Sequence, residues 1–213
     1  FQDGSDVVVR LVEEKTTTRF QGYQKVDDSY AHFTSVVIHF SGQVVELRCS
    51  YSSRYHYLAF IKDLLGFPAE MEIKEWTWLT KVTIDEAKQI SKLLSADLTS
   101  SHVALSSTVG SLRFNSIKGV DLRKDKTFTK IKKVIEDELK LDTSNTLDET
   151  CCFFFTDPKT NLSFEVVFEI NIQSGGFKFL STTVTEKVID HILDAFIKVC
   201  YEQRQKVAAE SSA

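Results

Sequence analysis

Residues 162–173, Leu-Ser-Phe-Glu-Val-Val-Phe-Glu-Ile-Asn-Ile-Gln, alternate without error. Leu162, Phe164, Val166, Phe168, Ile170 and Ile172 face one way. Ser163, Glu165, Val167, Glu169, Asn171 and Gln173 face the other. Period-two alternation of this length predicts a half-buried strand. Upstream, Asp157-Pro158-Lys159-Thr160 reads as a turn, because Pro fixes φ at its second position. Cys151–Thr156 reads as the strand before it. Downstream, Gly175-Gly176 turns the chain into a third strand, Phe177–Ser181. Before the strands, Thr127 is expected to cap a helix with Phe128, Ile131, Val134, Ile135, Leu139 and Leu141 on one side. After them, a long helix is expected from Thr185 to Lys206, then a small polar tail. Residues 127–206 therefore read helix, three-stranded meander, helix. A sheet with one apolar face covered by helices is the simplest way to bury that pattern.

The first half carries similar signals. Residues 6–60 read as strands, with Val7, Val9 and Leu11 alternating against Val8, Arg10 and Val12. Val36–Phe40 and Val44–Tyr51 flank Ser41-Gly42. A two-residue loop there pairs Ile38 with Val45, Val36 with Leu47 and Thr34 with Cys49 on one face. The opposite face takes Val37, Glu46, Ser35 and Arg48 and is the more polar one. A helix capped by Ser52 or Ser53 follows, with Tyr57, Phe60, Ile61, Leu64 and Leu65 as its stripe, ended by Gly66. Residues 71–79 read as another strand. Thr83-Ile-Asp-Glu86 is a capping box, so a helix should begin at Ile84. Residues 98–111 hold seven Ser or Thr in fourteen positions and read as a linker or a polar edge hairpin; Val103 and Leu105 favour the hairpin. The expected fold class is α+β, with antiparallel sheets and flanking helices. Comparing Val36–Leu65 with Cys152–Val199 suggests two similar meander-plus-helix halves. The expected division is 1–110 and 111–213, with one continuous domain as the alternative.

The chain has 213 residues, 42 % hydrophobic and 26 % charged, which excludes a disordered chain. A net charge of −4 argues against a chain-wide nucleic-acid or membrane-surface role. The four cysteines, Cys49, Cys151, Cys152 and Cys200, show no CxxC spacing. They read as thiols in a reducing compartment, so an intracellular setting, cytoplasmic or nuclear, is expected. No apolar run approaches the roughly 18 residues of a membrane span. No membrane partner, cofactor or metal is expected.

The run Cys152-Phe-Phe-Phe-Thr-Asp-Pro-Lys-Thr-Asn-Leu-Ser-Phe-Glu-Val-Val-Phe-Glu-Ile-Asn resembles the RWD-like globular domains of outer-kinetochore linker subunits. The likeness lies in a Phe-x-Phe-Thr strand, an Asp-Pro-Lys turn, an alternating strand and a closing helix, and it spans residues 127–206. The chain departs from that pattern in lacking an obvious coiled coil before the domain. The resemblance implies a non-catalytic, protein-binding module.

No sequence motif specifies a reaction. The histidines show no HxH or HxxxH spacing, and His191 falls on the polar side of its helix beside Lys187, Asp194 and Lys198. No GxSxG elbow, GxxxxGK[ST] or GxGxxG occurs. Glu72-x-Lys74, Glu13-x-Lys15 and Glu138-x-Lys140 have the local shape of a metal-dependent nuclease, without a convincing acidic partner. From Lys118 to Lys133 a basic run holds Lys118, Arg123, Lys124, Lys126, Lys130, Lys132 and Lys133. It reads either as a solvated helix face or as a patch for nucleic acid or an acidic partner. Tyr51, Arg54, Tyr55, His56 and Tyr57 cluster at a strand-to-helix junction. They read either as a stacking set for a base or a protein interface, or as Tyr51 and Tyr57 packing inward with Arg54 solvated. On the last helix, Val188, Phe196 and Ile197 belong to an apolar arc of about 200°, wider than one sheet needs. The surplus must meet the rest of the chain or a partner.

The leading expectation is a non-enzymatic protein–protein interaction module, a scaffold or complex subunit, with a protein partner or a second copy at Val188, Phe196, Ile197, Tyr51, Arg54 and Tyr55. The alternative is a nucleic-acid-associated protein using the 118–133 segment, with nuclease-like chemistry.

Overall fold

Valine, threonine and aromatic residues are dense in the first forty positions, and such side chains fit a pleated surface. They form two 16-residue strands, β1 (Asp6–Gln21) and β2 (Gln24–His39). Gly22, at φ +64°, opens the two-residue turn between them and occupies the position that type II′ turns reserve for glycine. The structure is a computed structural model that describes residues 6–40, 44–68, 82–105, 108–182 and 184–202. The expected turn at 41–42, the strand at 71–79 and the polar tail lie outside the described residues. By its internal contacts the chain divides into two units, Phe1–Ile73 and Lys74–Ala213.

In the first unit, β3 (Val44–Arg48) joins β2 in the register argued from the sequence, Ile38 opposite Val45 and Val36 opposite Leu47. The ladder ends at the Ser35–Arg48 pair, one position short of the expected Thr34–Cys49 pair. Sheet order is β1-β2-β3. Thr34, Val36 and Ile38 are buried, and α1 (Arg54–Leu64) sets Ile61 into the same small core. No serine side chain caps α1; a 3₁₀ turn over Tyr51–Ser53 leads into it. Gly66, at φ +70°, ends it, and the Phe67 amide reaches back to the Lys62 carbonyl at 3.1 Å. One expectation needs correcting. Val37 is only 7 % exposed and Val44 5 %, so the opposite face is not simply polar. Beside them Glu46 pairs with Arg48 at 2.6 Å and faces His39 at 3.4 Å.

The second unit begins with α2 (Ile84–Leu93), started by the capping box Thr83–Glu86 as expected. Then come β4 (Asp97–Ala104), β5 (Ser111–Asn115), α3 (Lys126–Asp137), β6 (Thr146–Thr156), β7 (Ser163–Asn171), β8 (Phe177–Phe179) and α4 (Glu186–Phe196). A π-helical turn, Ile197–Glu202, extends α4. The sheet is antiparallel in the order β5-β4-β6-β7-β8. The fold class is therefore α+β, with sheets of three and five strands and flanking helices among the described residues.

The Ser/Thr-rich stretch is not a linker: it leads from β4 into β5 as a hairpin, with β5 at the sheet edge. β4 lies between β5 and β6, with register shifts at Leu98/Ser100 and His102/Val103. The shifts let Leu98, Ser101 and Val103 all sink below 5 % exposure, although simple alternation separates Leu98 from the other two. This pairing also moves the division of the chain. A boundary at 110 would cut the β4–β5 hairpin; the break lies at 73/74. The α3 cap is Asp125, whose carboxylate accepts the Phe128 amide at 2.6 Å, not Thr127. Val166, Phe168 and Ile170 of β7 are fully buried, as their alternation predicts, among side chains from β6, α2 and α4. Among the described residues no helix is long and apolar enough to cross a membrane.

Candidate interaction surfaces

The last helix is turned inward. Val188 is fully buried and Phe196 is 3 % exposed, its ring centroid 5.0 Å from that of Phe177. Ala87 and Ile90 of α2 share that core, and α2 packs on α4 and on its π-helical end. The wide apolar arc thus meets a sheet on one side and a helix on the other. Val188 and Phe196 are corrected from partner-binding to core residues; Ile197 is half-buried. The wheel measured the arc's width, but not which distant helix would fill it.

Tyr51, Arg54 and Tyr55 do come together. The Arg54 guanidinium lies 4.2 Å from the Tyr51 ring centroid and 4.6 Å from that of Tyr55, and donates to the Tyr55 hydroxyl at 2.8 Å. Both rings remain more than half exposed. Stacking of this kind contributes about 0.5–1 kcal/mol at an exposed site. One turn on, the Tyr57 hydroxyl donates to Glu13 at 2.9 Å, and His56 Nε2 lies 2.8 Å from the other Glu13 oxygen. The Tyr57 bond first, then His56, hold the Glu13 carboxyl below the usual carboxylate range. This junction ties the start of α1 to β1.

Beyond that junction β1 and β2 run on without β3, which pairs only with Ser35–His39. The ribbon from Glu14 to Ala31 is about 25–30 Å long at roughly 3.4 Å per residue. Polar cross-strand contacts hold it: Thr16 with Ser29, Thr18 with Asp27, and Arg19 with Asp28 at 2.8 Å. On one face of the two strands lie Val8, Val12, Phe33 and, near the tip, Phe20, each 57–75 % exposed; Tyr23 stands fully exposed in the turn. The sequence reading saw strands here but not the hairpin, whose only turn signal is the lone Gly22.

The basic segment does not form a single patch. Lys118 lies 3.9 Å from Glu165, and Lys124 binds Asp121 at 3.1 Å and Asp97 at 3.6 Å. Arg123 points inward to Glu149 at 2.7 Å. Lys126, Lys130 and Lys133 remain exposed at i, i+4 and i+7 on α3, without an ion pair among the described residues.

Arg123 belongs to a polar group that the sequence reading missed. It also donates to Ser91 at 3.1 Å, and Ser91 lies 3.3 Å from the Cys151 sulfur. Burial works against the guanidinium charge, but Glu149 and Cys151 outweigh it and raise its pKa. Burial also pushes up the Cys151 thiol, so no thiolate is available there. Arg123 and Glu149 line a cavity of about 310 Å³ walled by α2 and α3. The available signal was parity, since Glu149 shares the face of Cys151 and Phe153. On the other face Asp148 takes Arg113 at 3.0 Å and lies 2.9 Å from His102. His191 is exposed, as its place on the polar side of the helix predicts, with its ring 5.8 and 5.6 Å from the Phe153 and Phe155 centroids. Among the described residues no three His, Cys, Asp or Glu side chains are grouped to hold a metal ion. Glu13 of one ExK match is committed to α1, and Glu72 and Lys74 lie outside the described residues.

No family model, curated protein or solved structure matches this chain.

Proposed function

We propose that this chain is a non-enzymatic protein–protein interaction module, a subunit of a larger assembly, and that the β1–β2 ribbon engages the partner. The observation that carries this reading is the exposed apolar row Val8, Val12, Phe33 and Phe20 on a ribbon with little support of its own. A two-stranded hairpin alone is marginal in water, and exposed polar pairs contribute only about 0.2–1 kcal/mol each. A partner strand or surface would supply the missing burial. The likeness of residues 127–206 to RWD-like domains points the same way. The four free thiols go with an intracellular setting.

The test removes the ribbon and keeps the body. Joining Leu11 to Thr34 through Asn-Gly preserves the Leu11–Thr34 pair and deletes Val12, Phe20 and Phe33 together with the tip. Native mass spectrometry of the protein purified from its source should give an assembly well above 24.2 kDa for the full chain and close to monomer mass for the shortened one. The same assembly from both proteins overturns the reading.

A further inference from the structure

We propose that the occupant of β1's outer edge is a second copy of this chain, paired antiparallel to the first about a two-fold axis through Val12. The proposal rests on reading the ribbon as the interaction element and adds the partner's identity. β1 is the outer strand of its sheet, and nothing among the described residues pairs with its far side. An edge of this length is a template for another strand.

The direction of the free peptide groups follows from the turn. The Gln21–Gln24 pair closes a two-residue hairpin, so it exchanges both hydrogen bonds. Counting back in twos, odd-numbered β1 residues bond to β2. Even-numbered ones, Arg10, Val12 and Glu14 among them, turn their N–H and C=O groups outward.

The charges then select the register. Asp6 faces His39 at 3.3 Å, Glu13 is held by His56 and Tyr57, Lys15 lies 3.7 Å from Glu13, and Arg19 pairs with Asp28. Among the described residues only Arg10 and Glu14 of the β1 charges have no ion pair; Arg10 rests 6.0 Å from the Phe33 ring. Both lie on the Val12 face, one on each side of it. A two-fold axis through Val12 sets Arg10 opposite the partner's Glu14, twice, and Val12 opposite Val12. An axis through Arg10, Glu13, Glu14 or Lys15 sets each of those charges against its own copy, which is destabilising. Through Leu11, Arg10 and Glu14 both stay unpaired. Through Thr16, Glu13 meets Arg19, and both already have partners within the chain. Val12 is thus the one axis from residue 10 to residue 16 that satisfies the two spare charges without a clash. It also brings two Val12–Phe33 pairs side by side.

The experiment is sedimentation equilibrium of the isolated full-length chain over a concentration series, with Arg10→Glu, Glu14→Arg and the double variant. Each single change puts like charges opposite at two places and should weaken the dimer by about tenfold or more; the double variant should recover to within about threefold. Circular-dichroism melts should be nearly unchanged for all three. In a hydrogen-bonded antiparallel pair the Cα atoms lie about 5.5 Å apart, within disulfide reach. Val12→Cys should therefore give an interchain disulfide on mild oxidation that the unaltered protein does not give. A monomer at every concentration, or a double variant as weak as the single ones, overturns the self-pairing. Either result leaves the interaction-module reading to the ribbon-shortening test, so the two failures are distinguishable.

Discussion

Two stretches of this chain follow the same order of elements. β1-β2-β3 followed by α1, and β6-β7-β8 followed by α4, are both antiparallel meanders closed by a helix. They differ in what else covers them. The second is widened by β4 and β5 and packed against α2, and its helix buries Val188, Ile192, Leu193, Ala195 and Phe196. The first relies on Val36, Ile38 and Ile61, with partly buried neighbours, and its two long strands continue past that core. A helix on a meander is thus a starting unit in both places. Where a further layer is added, the apolar surface is used up inside. Where none is added among the described residues, strand surface remains for something outside.

The largest expected effect tests whether the two stretches are independent. Phe196→Ala removes a side chain that is 3 % exposed and packed on Phe177, and should cost the second unit about 3–5 kcal/mol. Hydrogen exchange resolved by residue should show β6 and β7 losing protection while β2 keeps it. Equal loss in both units would mean that they unfold as one and would break the comparison.

Next in size is the contrast between ion pairs. Arg123–Glu149 is nearly enclosed, whereas Arg19–Asp28 on the ribbon is open to solvent. Arg123→Ala strands a carboxylate in the core and should cost about 3–5 kcal/mol; Arg19→Ala should cost about 1 kcal/mol or less. Adding Glu149→Gln to Arg123→Ala should recover part of the loss in urea melts. No recovery would mean that Arg123 acts through packing alone.

The sequence was legible where two independent signals agreed. Turn length and hydrophobic pattern together placed Ile38 opposite Val45, and Thr83 with Glu86 marked the start of α2. The β7 row from Phe164 to Ile170 needed only its period, whereas Leu162, read onto the same face, lies before the strand and is 67 % exposed. Legibility failed where the partner lay far along the chain. Nothing near Phe196 names Ala87 and Ile90 as its neighbours, and nothing near Arg123 names Glu149. It failed also at Ser100 and Ser101, both buried in β4, because small polar residues at a register shift carry no period. Val37 was misjudged because its cross-strand partners, Val8 and Glu46, say nothing of what covers that face. Of the candidate site, the Tyr51–Arg54–Tyr55 cluster was readable from local spacing. The ribbon was not, since Thr16, Thr17 and Thr18 give strand propensity without a turn.

A smaller effect sharpens the view of the first unit as lightly held. The folded Glu13 carboxyl titrates below the usual glutamate value, because the Tyr57 hydroxyl and His56 favour its charged form. A depressed folded pKa contributes stability in full above the unfolded value, about 4.3, and that stability is lost as pH falls through the lower folded value. Acidification from pH 5 to pH 3 should therefore loosen the α1–β1 junction, read as faster exchange of the α1 amides. Glu13→Gln should remove most of that pH dependence. An unchanged profile would show that other carboxylates govern it.

The smallest effect is expected on α3. Lys126, Lys130 and Lys133 lie on one exposed face, and surface charges of this kind contribute little to stability. Changing all three to Glu gains a favourable charge in the first turn at position 126, where the helix dipole prefers an anion. It loses attraction between Lys133 and Asp137, worth a few tenths of a kcal/mol. The terms nearly cancel, so the melt should shift by about 1 kcal/mol or less. Assembly through the ribbon should be unaffected, because none of the three lysines is on β1 or β2. Nucleic acid is the discriminating ligand. With Arg123, Lys118 and Lys124 already engaged by carboxylates, three lysines leave a small electrostatic footprint, and binding near physiological salt should be weak or absent. Tight binding that falls steeply with salt and disappears in the triple variant would reverse the assignment: the second unit would then hold the functional surface, and the exposed ribbon would be the incidental feature.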